Sequence, residues 1–148
     1  MTCFFIGHRN ANEPIMPRLE DAVRKHIIDY GVTKFVVGQY GSFDRMAACA
    51  VIKVKRLFSE ISLSILLPYH PFERDVMAPD GYDSTFYPPG MENVPRRFAI
   101  LRVNKYMITH CDYLIAYAWQ PGSNSKQLVE FAYKKANVVV TELCRVWR

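Results

Sequence analysis

Two apolar runs each stop at a glycine followed by polar residues: Phe4-Phe5-Ile6-Gly7-His8-Arg9, and Phe35-Val36-Val37-Gly38-Gln39-Tyr40-Gly41-Ser42-Phe43-Asp44. A buried strand ending this way delivers the chain to the carboxyl edge of a parallel sheet. Glycine lets the backbone turn and come close to a ligand, and the helix that follows aims its first N–H groups there. The arrangement suits phosphate and predicts a nucleotide-type pocket. In the first turn Arg9 offers a planar fork of donors, with the Gly7 N–H beside it. His8 reads either as a structural hydrogen-bonding residue or as an acid or base. In the second turn Gly38, Gly41 and Ser42 suit close backbone approach, and Asp44 is either a helix cap or an acceptor for a ribose hydroxyl. A third turn, Pro121-Gly122-Ser123-Asn124-Ser125, again sets small residues before a helix. Gly122, Ser123, Asn124 and Ser125 are therefore ligand candidates, the plain alternative being a polar loop with a serine cap.

Glu130 lies within the first two turns of that last helix, where a carboxylate could act on a sugar carbon or as a general base. A solvated helical glutamate is the bland alternative. Arg96, Arg97, Arg102 and Lys105 crowd one helix and suit a basic rim for polyphosphate or a nucleic-acid backbone. Arg102 and Asn104 join the ligand-binding candidates. The four histidines are scattered and no His or Cys pair has ligand spacing, so neither a metal nor a cofactor is expected, and the full Walker A pattern is absent.

The elements that must carry these turns follow from apolar periodicity. Strands are expected over 2–7, 34–38, 61–67, 112–118 and 138–143. One helix is expected over 14–30, with Leu19, Val23 and Ile27 at helical spacing and Gly31 closing it. A second, capped by Ser42 or Asp44, runs through Met46, Ala50, Val54 and Leu57; others follow over 96–110 and 125–136. Near-continuous apolar strands alternating with helices predict an α/β fold, a Rossmann-like three-layer sandwich with a mainly parallel sheet of about five strands. Residues 68–95, rich in Pro, Gly, Tyr and Asp, read as a lid or insertion.

Composition sets the outer limits. At 148 residues, half of them hydrophobic, the chain suits a single domain with a sizeable core. A formal charge of +5 and a pI near 9.1 favour anionic partners. A nucleotide-derived small molecule is preferred over nucleic acid. Cys3, Cys49, Cys111 and Cys144 are dispersed without a C-x-x-C pair and read as reduced, structural thiols. No leader is visible and no apolar run approaches the roughly 20 residues of a bilayer span, so a cytoplasmic protein without a membrane partner is expected.

Thr2-Cys3-Phe4-Phe5-Ile6-Gly7-His8-Arg9, Phe43-Asp44 before Ala47-Ala48, Pro95 to Met107, and Asp112-Tyr113-Leu114-Ile115-Ala116-Tyr117 resemble the YpsA/YoqJ-like bacterial and phage proteins of unknown function. Those belong to the SLOG superfamily, with DprA and the "lonely guy" (LOG) phosphoribohydrolases. The resemblance covers nearly the whole chain and implies a Rossmann-like sheet, a nucleotide-related ligand and, by analogy, a homodimer. LOG enzymes carry an arginine four positions before a helical methionine, an aspartate five after it, and a P-G-G-x-G-T-x-x-E turn. Met107 and Asp112 keep the second spacing, and Glu130 falls six residues after Asn124 as the motif's glutamate falls six after its second glycine. Val103 stands at the arginine position, however, with Arg102 displaced by about 100° around a helix. Ser123 and Asn124 stand where glycines are expected, in a turn one residue longer, and Gln39 and Ser42 replace glycines of the second turn. These departures favour binding over LOG-type hydrolysis through Glu130, and DprA supplies single-stranded DNA binding as a further alternative.

Overall fold

The structure is a computed structural model that describes residues 1–11, 13–70, 80–135 and 137–144. Among them six strands form one sheet: β1 (Thr2–Gly7), β2 (Lys34–Val37), β3 (Ser62–Leu66), β4 (Ser84–Phe86), β5 (Tyr113–Tyr117) and β6 (Val139–Glu142). Their order is β4-β3-β2-β1-β5-β6, and every pair is parallel. Four helices flank it: α1 (Met16–Ile28), α2 (Ser42–Lys55), α3 (Arg96–His110) and α4 (Asn124–Lys135).

The alternation of β1 sorts the core into two layers. Cys3 and Phe5 face a cluster filled by Leu19, Val23 and Ile27 of α1 and by Phe43, Ala47, Val51 and Val54 of α2. Phe4 and Ile6 face the other, with Ala99, Val103 and Met107 of α3 and Leu128, Val129 and Ala132 of α4. These are the i, i+3/i+4 positions of each helix, so one stripe per helix seals one face of the sheet. Each fully buried Leu, Val or Phe contributes about 1.5–3 kcal/mol of transfer free energy. The result is the expected Rossmann-like three-layer sandwich.

The sixth strand is β4, which pairs with β3 through Ser64↔Ser84 and Leu66↔Phe86. It lies within the stretch read from sequence as a lid or insertion. Three residues among prolines and glycines are too few to display a period-2 pattern. Residues 71–79 of that stretch lie outside the described residues. Of the remainder, Met91 is buried against the α3 layer.

Chain order then fixes where a cleft can open. From β1 the sheet grows outward through β2, β3 and β4, after which α3 brings the chain back to the opposite side of β1 for β5 and β6. The carboxyl ends of β1 and β5 are therefore the point at which strand order reverses, where crossovers diverge and leave a crevice.

Candidate functional site

A cleft of about 380 Å³ lies beside that point, over the carboxyl end of β1. Its floor is the end of β1 with Gly7 and Arg9; one wall is Gly38, Tyr40 and Asp44, and the other is Asn124, Ser125 and Leu128 at the start of α4. α3 closes the top with Arg97, Ile100, Leu101 and Asn104. Of the residues expected from sequence, Gly7, Arg9, Gly38, Asp44, Asn104, Asn124 and Ser125 thus meet around one cavity.

The turn glycines do something other than the sequence suggested. A Cβ on Gly7 would sit 2.2 Å from Phe43 Cγ, so this glycine admits the buried ring that locks α2 onto β1. A Cβ on Gly38 would come within 2.8 Å of Asp44 Oδ2, and one on Gly41 within 2.6 Å of Arg9 Cα. Gly41 also has φ +117° and ψ 174°, a region essentially reserved for glycine. All three hold space for the protein's own atoms.

Ser42 is likewise committed. Its N–H donates to the Arg9 carbonyl at 2.9 Å, and its hydroxyl lies 2.8 Å from that carbonyl and 3.1 Å from Ala11 O. The start of α2 is thereby sewn to the loop after β1. Gly41 occupies the N-cap position, and Asp44, three residues on, reaches back so that Oδ2 accepts the Tyr40 N–H at 3.1 Å. The N–H it accepts is that of the residue before the cap rather than the cap's own, as a capping box would have it, so the carboxylate ties the turn after β2 to the first turn of α2.

Asp44 is the one carboxylate lining the cleft among the described residues. Burial pushes its carboxyl up to about 6, against the opposing pull of the Tyr40 N–H and of Arg9. A carboxyl whose folded-state value lies above its unfolded one costs stability when it ionises. Its contribution is most favourable below about pH 4 and is lost as pH rises through about 6. Asp44→Asn keeps an acceptor for Tyr40 and removes the charge. It is expected to stabilise the fold by about 1–3 kcal/mol at pH 8, a range discounted for partial exposure, and by almost nothing at pH 4. Urea denaturation at the two pH values checks this, and a variant equally destabilised at both would refute it.

The start of α4 is organised differently. Ser123 is its cap: the hydroxyl accepts the Lys126 N–H at 3.1 Å and donates to Gln120 O at 2.9 Å. Ser123→Ala is expected to cost about 1 kcal/mol, read as a lower melting temperature. Ser125 Oγ donates to Gly7 O at 2.9 Å, pinning the helix to the end of β1. The N–H groups of Asn124 and Ser125 make no hydrogen bond among the described residues. Two donors at the positive end of a helix thus border the cleft. Gly122, with φ +77°, shapes the turn and, like Ser123, is not part of the lining.

On α3 the residues facing the cleft are set by helical phase. Arg97, Leu101 and Asn104 are separated by four and three residues and share one face; Arg102 is five beyond Arg97, about 140° around the axis. Arg102 is exposed away from the cleft, and Arg97 takes the position anticipated for it. The Arg97 guanidinium lies 4.8 Å from the centre of the Phe98 ring. Arg96 and Lys105 are turned onto other rings, Tyr69 at 5.0 Å and Phe131 at 5.2 Å, so the basic cluster of α3 does not form one continuous strip.

Two further candidates stand outside the lining. Glu130 is exposed on α4. His8 is buried, its Nε2 accepts the Gln120 N–H at 3.2 Å, and its ring meets Tyr117 and Trp119 edge-on. Burial lowers its pKa, which keeps the ring neutral and suits that accepting nitrogen. His8 therefore braces the loop after β5. Among the described residues no three His, Cys, Asp or Glu groups are placed to hold a metal ion. No helix there is long and apolar enough to cross a membrane. All four cysteines are free; Cys3 and Cys111 are buried as expected, whereas Cys49 is exposed on α2.

Neither a family model nor a curated protein matches the chain, so the resemblance to YpsA/YoqJ-like proteins rests on the motifs themselves. Among solved structures the chain is similar to S. aureus TarJ in complex with NADPH, with a TM-score of 0.43 and 12% identity over 90% of this chain. It spans 46% of that protein's chain.

Proposed function

We propose that the protein binds a nucleotide or nucleotide-derived ligand in the cleft at the carboxyl end of β1, between the turn after β2 and the start of α4, and so senses or sequesters it. The observation that carries this reading is the convergence, on one cavity, of Arg9, Arg97, Asn104 and the two α4 N–H groups that make no hydrogen bond among the described residues, with Tyr40 and Asp44 on one wall and apolar side chains between. Cationic and backbone donors suit a phosphoryl group. Ile100, Leu101 and Leu128 suit a base or sugar face. The hydrolytic alternative assigns its chemistry to Glu130, and the DNA-binding alternative needs a continuous basic surface on α3; neither arrangement is supported by the geometry. Thermal denaturation against nucleoside mono- and diphosphates, ADP-ribose, NAD and cyclic dinucleotides, with chromatography for released base, tests the reading. A saturable rise in melting temperature without turnover is expected. No shift with any member of the panel would sink it.

A further inference from the structure

The two helix starts that border the cleft have opposite electrostatic character. At α4 the Asn124 and Ser125 N–H groups are unengaged among the described residues, with Arg97 elsewhere in the same lining. At α2 the Ser42 N–H is taken by the Arg9 carbonyl, and the protein's own carboxylate, Asp44, lies over the turn in the space Gly38 leaves by lacking a side chain. One oxygen of Asp44 is held by Tyr40; Oδ1 makes no hydrogen bond among the described residues and is not sealed from solvent. An anion reaching that wall meets a fixed negative charge, whereas a hydroxyl or amino group meets an empty acceptor.

We propose that the cleft selects ligands bearing a single phosphoryl group, seated at the start of α4 with Arg97, and that Asp44 turns away ligands carrying a second phosphoryl group on the sugar. The inference rests on the nucleotide reading above and narrows it to a substrate class. Asp44 is a specificity residue here because like-charge contact in a partly desolvated site discriminates strongly. A hydroxyl in the same place gains a charge-assisted hydrogen bond. The second glycine turn, which by sequence belongs to a phosphate, thus becomes the end of the cleft that refuses one. Arg9, in the loop after β1, is the cation coupled to Asp44, and Tyr82 is a titratable neighbour. Arg97 forms no ion pair among the described residues, which leaves its charge for the ligand.

The test compares nucleoside 5′-monophosphates with the matching 3′,5′-bisphosphates by isothermal titration at pH 8. Wild-type protein is expected to bind the monophosphate at least about tenfold more tightly. Asp44→Asn, which keeps an acceptor for the Tyr40 N–H, is expected to narrow the gap to within about threefold, mainly by admitting the bisphosphate. Wild-type protein that binds both alike, or prefers the bisphosphate, overturns the inference and leaves the nucleotide reading standing; this arm needs no variant to fold. A wild-type gap that persists unchanged in Asp44→Asn assigns the discrimination elsewhere and also overturns it. If neither ligand class binds, the nucleotide reading fails and the inference goes with it.

Discussion

Gly41→Ala is expected to lower stability by about 3–4 kcal/mol and to abolish ligand binding. The backbone at Gly41, φ +117° and ψ 174°, costs a side-chain-bearing residue about 1–3 kcal/mol. The new Cβ would also lie 2.6 Å from Arg9 Cα, a backbone atom that cannot rotate away. Relief requires the loop after β1 to part from the start of α2, breaking the Ser42 bonds to the Arg9 carbonyl. That seam holds Arg9 on the floor of the cleft and Asp44 on its wall. For a chain of this size the loss corresponds to a melting temperature lower by on the order of 10 °C. Gly122→Ala is the matched control: φ is +77° but nothing lies within 4 Å of its Cβ, so about 1 kcal/mol of strain is expected. Equal losses in the two variants would show that the seam does not matter.

That contrast also marks how far the sequence was readable. Apolar runs located five strands, most clearly β1 and β5, which are continuous and buried over most of their length, and β1 and α3 fall on their expected bounds. The glycines at 7, 38 and 41 pointed to the corner of the sheet where the cleft lies, for an incomplete reason. Sequence shows that a position tolerates close approach, not which atom approaches. Only packing reveals Phe43, the Asp44 carboxylate and the Arg9 backbone in those spaces. Ser42 and Ser123 illustrate the same limit, since a hydroxyl near a helix start serves a ligand or the backbone equally well by type. α3 is harder still. Phe98 and Leu101 are exposed while Ala99, Val103 and Met107 are buried, so hydrophobicity does not define its inward face. Which arginine meets the cleft therefore depends on a rotation the pattern leaves free.

The second large effect tests that rotation. Arg97→Ala is expected to weaken binding of a phosphorylated ligand about 10–100-fold, the loss of charge-assisted hydrogen bonds contributing about 1.5–3 kcal/mol. The unliganded protein should melt almost unchanged, because Arg97 is exposed. Arg102→Ala, at the arginine one residue from the motif's arginine position, should leave affinity within about threefold of wild type. Removing Arg97 should also flatten the dependence of affinity on salt, as one cation fewer meets the ligand. Titrations of both variants at two ionic strengths decide the matter. A larger loss in Arg102→Ala would mean that α3 presents its other face to the ligand.

The reversal of strand order that opens the cleft also dictates when the cleft can exist. β1 pairs with β2 across a short stretch of chain, but its other edge meets β5, with Cys3 opposite Tyr113. Closing so long a loop is entropically costly and slow compared with the pairings that precede it. During synthesis the β1–β4 half can assemble while the second edge of β1 stays bare. Any stage in which that half is paired before β5 docks leaves a central, apolar strand open to any other chain, the condition under which nascent chains aggregate or need a chaperone. Ligand arriving at that stage finds no α4 to hold its phosphate. Binding competence and escape from aggregation are acquired in the same late step, when β5 docks.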